Sequence, residues 1–144
     1  MRLLFISFLL LLQGCAANYN NGFTNVEIND DVTRVRFDGK RDNSVEGAYD
    51  YMFMKATEIG VDKKHEYFYL YPTLNAVAKN QPHQKPLFGN YGQGFYFFMY
   101  VRTSNEEQEN AFRVTDAFEK YKGAILKRTR TRIAEKLYGK QEAE

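Results

Sequence analysis

Apolar residues along this chain alternate, then recur every three or four positions, then run on without a break, and these changes of pattern mark out its elements. Val26, Ile28, Val32, Val35 and Phe37 lie in a β-prone region broken by Asn29-Asp30-Asp31. Asx side chains favour a turn there, which predicts a hairpin with arms at residues 24–28 and 33–38. In the second arm Thr33, Val35 and Phe37 share one face, and Arg34 and Arg36 share the other. Asn43 or Ser44, with Glu46 behind, supplies a helix start. Val45, Ala48, Tyr49, Met52, Ala56 and Ile59 then form one apolar helical stripe, which leaves Asp50 and Lys55 to solvent and makes Gly60 a candidate stop.

Residues 65–71 (HEYFYLY) form a short aromatic run closed by Pro72, which predicts a strand. Residues 73–93 contain Pro82, Pro86, Gly89 and Gly92 with little periodicity, and so predict a long loop. The run at 94–103 (GFYFFMYVRT) is apolar on both faces and predicts a central strand covered on at least one side. Ser104 and Glu107 repeat the capping pattern ahead of a stripe of Ala111, Val114, Phe118, Tyr121 and Ile125. Leu126, Ile133 and Leu137 make a second stripe displaced by roughly 100°, so a break is expected at Gly123. The order β-β-α-β-β-α predicts an α+β fold, a mostly antiparallel sheet with helices packed on one face.

The first fifteen residues change the picture from fold to address. Arg2 precedes an unbroken apolar run at residues 3–12, which ends in Leu12-Gln13-Gly14-Cys15. Ten residues at about 1.5 Å each cover half of a hydrocarbon core near 30 Å, so the run suits an export signal better than a membrane span. The motif resembles the bacterial lipobox, with Gln13 in place of the usual small residue. Cys15 is the only cysteine, which leaves it without an intramolecular disulfide partner. The expected organisation is a lipoprotein signal peptide at 1–14 and a tether at 15–22. A single α+β domain at 23–122 and a basic helical extension at 123–144 follow. By the lipoprotein sorting rule of diderm bacteria, Ala16 after the cysteine implies the periplasmic face of the outer membrane.

The formal charge is +2, and removal of residues 1–14 takes away Arg2 alone, leaving +1. A near-neutral domain lacks the global footprint of a nucleic-acid binder. Cations are instead concentrated at Lys120, Lys122, Lys127, Arg128, Arg130 and Arg132, pointing around the helical wheel. They are either a solvated tail or a binding surface for anionic lipid or polymer.

Several segments resemble one family. They are Gly22-Phe23-Thr24, Arg34-Val35-Arg36-Phe37-Asp38-Gly39, Ser44-Val45-Glu46, Asp50-Tyr51, Lys55-Ala56-Thr57-Glu58 and Tyr67-Phe68. Residues 22–70 look like the small, uncharacterised proteobacterial lipoproteins first noted in Caulobacter genomes. Thr33 stands where that family usually has an aromatic residue, and Lys40-Arg41 replaces an Asn-Gly pair. The resemblance implies a lipidated Cys15 and brings no activity.

Catalytic chemistry is thinly represented. His65 and His83 are the only histidines, and neither has a cysteine or carboxylate at metal-ligand spacing, so no metal or cofactor is expected. Asp30-Asp31 suits a turn, Ser44 a helix cap, and Asp50, Lys55 and Glu58 a solvated helix face. The glycines at 89–94 precede a strand rather than open a helix, which argues against a phosphate cradle. Phe88 and Tyr91, aromatics between glycines, are candidates for holding sugar or peptide. The expectation is a lipid-anchored envelope protein, a binding or structural module without enzymatic activity. Its partners would be the membrane through Cys15 and another envelope protein or an anionic polymer. The alternative is an envelope enzyme with its site at residues 73–93.

Overall fold

Two long strands carry the molecule: β2 (Val32–Lys40) and β5 (Gly94–Ser104), antiparallel along their whole length with Val35 opposite Met99 and Phe37 opposite Phe97. The computed structural model describes residues 22–40 and 43–139. The expected signal peptide, Cys15 and the tether up to residue 21 lie outside them. β1 (Phe23–Glu27) pairs with the free side of β2. The other side of β5 is shared by β4 (Leu87–Tyr91) at its start and β3 (Tyr67–Tyr71) at its end. β6 (Phe112–Arg113) closes the far edge of β3, giving a six-stranded antiparallel sheet ordered β1-β2-β5-β3-β6 with β4 beside β5.

The first hairpin turns where the Asx residues place it. Asn29 Oδ1 accepts hydrogen bonds from the backbone N–H groups of Asp31 and Val32, each at 2.9 Å. Lys63, just beyond the first helix, pins this turn through Glu27 at 2.6 Å and the carbonyl of Asp30. Helix α1 (Val45–Asp62) starts at Ser44, whose Oγ accepts from Gly47 N, while Asn43 turns back to Lys40 N.

Ala48, Met52 and Ala56 of α1 face the sheet and are fully buried with Val35, Phe37, Phe97 and Met99. Tyr51, Phe53, Met54 and Val61, off the expected stripe, are buried as well. The reason is a second layer: α3 (Val114–Tyr121) and α4 (Lys127–Tyr138) pack on α1, so the helix is covered from two directions. Gly60 is therefore a packing residue and not the stop. A Cβ there would sit 2.7 Å from Val114 Cγ2, and the left-handed turn belongs to Lys64 at φ 59°. Lys55 is not free either, since its ammonium lies over the rings of Phe23 and Tyr51.

Burial also sets an alkaline limit. Tyr51 is 5% exposed, and its hydroxyl is pushed up to about 12, mainly by loss of solvent and secondarily by Glu58, with Arg132 opposing. A raised folded-state value favours the folded protein fully below the unfolded tyrosine value of about 10. That advantage is lost as pH climbs from about 10 to 12, an effect of about 2 kcal/mol. Urea titrations at pH 9 and pH 12 should show a smaller loss of stability in Tyr51→Phe than in the parent chain.

Three further expectations are corrected. Residues 73–93 are not an irregular loop. They contain the short helix α2 (Leu74–Ala78), capped by Thr73 Oγ1 on Ala76 N, and strand β4. Ser104 ends β5 instead of starting a helix, and its Oγ accepts from Glu106 N in a local turn. The chain then folds back on the sheet, where Tyr69 Oη donates to the Glu106 carbonyl (2.6 Å) and accepts from Gln108 N (2.8 Å). The break at Gly123 is present as a 3-10 turn, Lys122–Ala124. The core does not end there, however, because Ile125 and Ile133 are buried in the same cluster as α1.

Candidate functional site

Strand periodicity divides the sheet into a face under α1 and a second face carrying the even-numbered residues of β2 and β5. Register places Arg34 opposite Tyr100, Arg36 opposite Phe98 and Asp38 opposite Tyr96. From the other side Leu87 lies opposite Phe98 and Gly89 opposite Tyr96. The result is a row of rings along β5, flanked on β2 by a row of charges.

At its β3 end this face is closed. Tyr69 and Tyr71 are buried beneath α2 and the segment after β5, and Arg102 stacks over both rings at 5.4 and 5.1 Å. Arg102 and the Tyr71 hydroxyl converge on Asn80 Oδ1, and the Tyr69 hydroxyl is held by the backbone of Glu106 and Gln108. Burial pushes the Tyr71 hydroxyl up, while Arg102 pulls the other way. This end is structural.

Towards β1 and β4 the face is open. Tyr96, Phe98 and Tyr100 are half-buried, Tyr100 against the closed tyrosine cluster and edge to face with Phe98 at 5.2 Å, and Val26, Leu87 and Tyr91 are exposed at 36%, 41% and 49%. Arg36 forms a fork with Asp38, Nε and Nη2 reaching its carboxylate at 2.9–3.1 Å, and stacks 4.8 Å above the Tyr96 ring. That hydrogen-bonded carboxylate raises the Arg36 guanidinium further above its usual value. Tyr96 lies flat across Gly89, where a Cβ would fall 2.4 Å from its ring. Glycine is thus required at that position for close approach, not for turning. Tyr91 stacks beside Tyr96 at 6.4 Å and 23°. Past it, Asn43, Asn90 and Gln93 line an open groove with Tyr91. Arg34 has no ion-pair partner among the described residues.

The residues singled out by sequence fall in scattered places. Lys120 sits over the Tyr121 ring and Lys122 pairs with Glu119 at 2.7 Å. Arg132 reaches Glu58 at 2.6 Å, and one turn on, Lys136 reaches Asp62 at 2.6 Å, so α4 is clipped alongside α1. Of the six, Lys127, Arg128 and Arg130 have neither an ion pair nor a ring contact among the described residues, and they lie next to exposed Leu126. The six cations are therefore two or three separate features, not one surface.

His65 Nδ1 is engaged with Thr103 Oγ1 at 2.7 Å, and His83 sits on the exposed stretch bridged to Leu70. Among the described residues no three His, Asp or Glu side chains converge as metal ligands. Phe88 and Tyr91 are both exposed but on opposite faces: Phe88 leans on Phe97 at 5.1 Å and Tyr91 joins the open row.

Sequence reasoning missed the row itself. It separated Arg34 and Arg36 from Val35 and Phe37 correctly, yet read 94–103 as apolar throughout. Matching Phe97 and Met99 to the Val35 face would have left Tyr96, Phe98 and Tyr100 on the side of the arginines. Comparison with protein-family models, with curated proteins and with solved structures returns no match.

Proposed function

We propose that this chain is a lipid-anchored cell-envelope protein that works as a binding module rather than an enzyme. The observation that carries this reading is the open half of the sheet. An aromatic row held by glycine and flanked by a fixed guanidinium–carboxylate pair is a preformed surface, with few side chains left to order on binding. The anchor rests on Leu12-Gln13-Gly14-Cys15 after ten apolar residues, on Ala16 for the periplasmic face of the outer membrane, and on the lipoprotein resemblance of residues 22–70. Two or more acyl chains on Cys15 would hold the domain stably at a membrane, each buried CH₂ contributing about 0.8 kcal/mol.

A secondary contact falls to Lys127, Arg128 and Arg130. Cations beside an exposed leucine suit an anionic headgroup layer, each charge contributing about 1 kcal/mol at such a surface.

The test is expression of the full chain and of Cys15→Ser in a diderm bacterium with labelled palmitate. The parent chain should carry label and fractionate with the outer membrane, while Cys15→Ser should be unlabelled and leave it. Mass spectrometry finding an unmodified Cys15, or cleavage after Ala17, would remove the anchor from the reading. In the Cys15→Ser background, exchange of Lys127, Arg128 and Arg130 for Gln should reduce co-sedimentation with anionic vesicles. The binding should also fade in salt, since the Debye length shrinks from about 10 Å at 0.1 M to about 3 Å at 1 M. Binding indifferent to both changes would leave those cations merely solvated.

A further inference from the structure

We infer that the end of the sheet where the chain enters β1 faces the membrane, with Tyr91, Val45 and Phe88 dipping into the lipid interface. The inference rests on the acylated Cys15 proposed above and adds an orientation and a contact of the folded domain. Phe23 pairs with Phe37, and Gly22 lies so close to Asp38 that a Cβ on it would fall 2.7 Å from the Asp38 carbonyl oxygen. The chain therefore reaches β1 from the Lys40 end of β2. The β4–β5 turn stands at that same end, since Lys40 pairs with Gly94 and Gly94 with Tyr91. Six residues separate Cys15 from Gly22, a reach of about 25 Å at full stretch. β2, with nine residues, is itself about 27 Å long. An inverted domain would need its tether almost fully extended, at a cost in chain entropy.

The end that the tether brings to the lipid has a surface suited to it. Residues 86–101, which hold all of β4 and most of β5, contain no charged side chain. Tyr91 flanks the turn at 49% exposure, and Val45, the first residue of α1, lines the same groove and is 42% exposed. Phe88 leans against Phe97 on the other face of β4 and is still 47% exposed. Around Tyr91 and Val45 the groove is lined by the amides of Asn43, Asn90 and Gln93. Apolar side chains among uncharged polar ones suit the boundary between headgroups and acyl chains, where a tyrosine keeps its ring in the apolar layer and its hydroxyl in water.

Charge is arranged in the same sense along the molecule. Arg132 meets Glu58 and Lys136 meets Asp62, so α4 lies parallel to α1, and ahead of it Tyr121 stacks on Phe53 at 4.6 Å. The start of α4, with Lys127, Arg128 and Arg130, accordingly points to the Val45 end. Acids gather at the opposite end: Asp30 and Asp31 in the first hairpin turn, and Glu66, Glu106 and Glu107 where β3 begins and β5 ends. Lys63, Lys64 and Arg113 offset them only in part. An anionic leaflet attracts the first end and repels the second. A second copy is the competing occupant, pairing along the outer edge of β4, but that edge is five residues long and leaves the placement of the cations unexplained.

The chain contains no tryptophan, so a single exchange reports from one place. Tyr91→Trp and Val45→Trp probe the membrane end, and Ile28→Trp, at a position 40% exposed, probes the far turn. Each is made in the full chain, purified in detergent from a diderm host and reconstituted into phosphatidylethanolamine–phosphatidylglycerol vesicles. Circular dichroism melts check that each variant folds. Emission from Tyr91→Trp and Val45→Trp should shift to the blue in vesicles, be quenched by lipid brominated high on its acyl chains, and escape aqueous iodide. Ile28→Trp should stay open to iodide and untouched by the brominated lipid. Tyr91→Trp and Val45→Trp as open to iodide with vesicles as without, or Ile28→Trp quenched by brominated lipid, would overturn the inference. Shielding of Tyr91→Trp that grows with protein concentration in a lipid-free Cys15→Ser chain would overturn it in favour of a second copy. Mass spectrometry of the same preparations separates the two readings. An acylated chain with Tyr91→Trp in water keeps the anchor and loses the orientation. An unacylated chain loses the anchor; an unshifted Tyr91→Trp on these vesicles then removes the contact as well, and a shifted one keeps it.

Discussion

Met52→Asp should abolish the cooperative unfolding transition of the domain at room temperature. Met52 is fully buried between the sheet and the body of α1, among Phe37, Phe97 and Met99. A carboxylate there would have to ionise without solvent or a cation, or be protonated at a cost in free energy; either way an unpaired polar group is buried. The cost is roughly 4 kcal/mol or more, close to the whole stability of a modest domain at about 5–15 kcal/mol. Met52→Leu conserves volume and should cost less than about 1.5 kcal/mol, which separates the charge from the shape. Thermal melts followed by far-ultraviolet circular dichroism decide between them. An Asp variant melting like the parent would mean that this face of α1 looks outward, and the sheet–helix arrangement would be wrong.

Local chemistry was legible where one residue type has one physical use. Asn29 makes the turn its side chain is suited to, Ser44 caps α1, and the alternation of Thr33, Val35 and Phe37 with Arg34 and Arg36 gives the two faces of β2. The α+β class, with an antiparallel sheet under helices, follows from those elements and is what the structure has. What escaped were features whose signal is tertiary. Ser104 and Glu107 have capping spacing, yet the hydroxyl of Tyr69 captures the backbone of Glu106 and Gln108 and holds the segment across the sheet. Pro86 and Gly89 read as breakers, but Gly89 sits in β4 because the Tyr96 ring needs the space of a missing side chain.

The aromatic row belongs to the same class of omission. A strand with apolar residues at every position gives no periodicity, so the sequence of β5 does not say which alternate set faces the helices. That choice is made by its neighbour, since Val35 and Phe37 pair with Met99 and Phe97 and commit Tyr96, Phe98 and Tyr100 to the other side. Arginines on β2 and tyrosines on β5 then meet without any local motif. Residues that each look like ordinary strand surface become a site only through register.

The strongest test of the C-terminal boundary is Ile133→Ala, which should cost about 2–5 kcal/mol, as truncation of a fully buried branched side chain does. The displaced stripe after Gly123 suggested an extension outside the core, but displacement has another outcome. The 3-10 turn at Lys122–Ala124 changes the direction of the chain, and α4 then returns its own apolar side to α1. Ile133 is 1% exposed within the main core cluster, and Ala134 and Leu137 pack against it half-buried. The ion pairs beside it contribute less. Arg132 and Glu58 are 46% and 23% exposed, and an exposed pair of this kind is worth at most about 1 kcal/mol. Arg132→Ala should therefore barely move the urea midpoint, while Ile133→Ala lowers it strongly. A chain ending after Lys122 loses Ile125 together with Ile133 and should unfold without a sharp transition. Wild-type midpoints for Ile133→Ala and the shortened chain would restore the helix to a detachable tail, with the domain closing at residue 122.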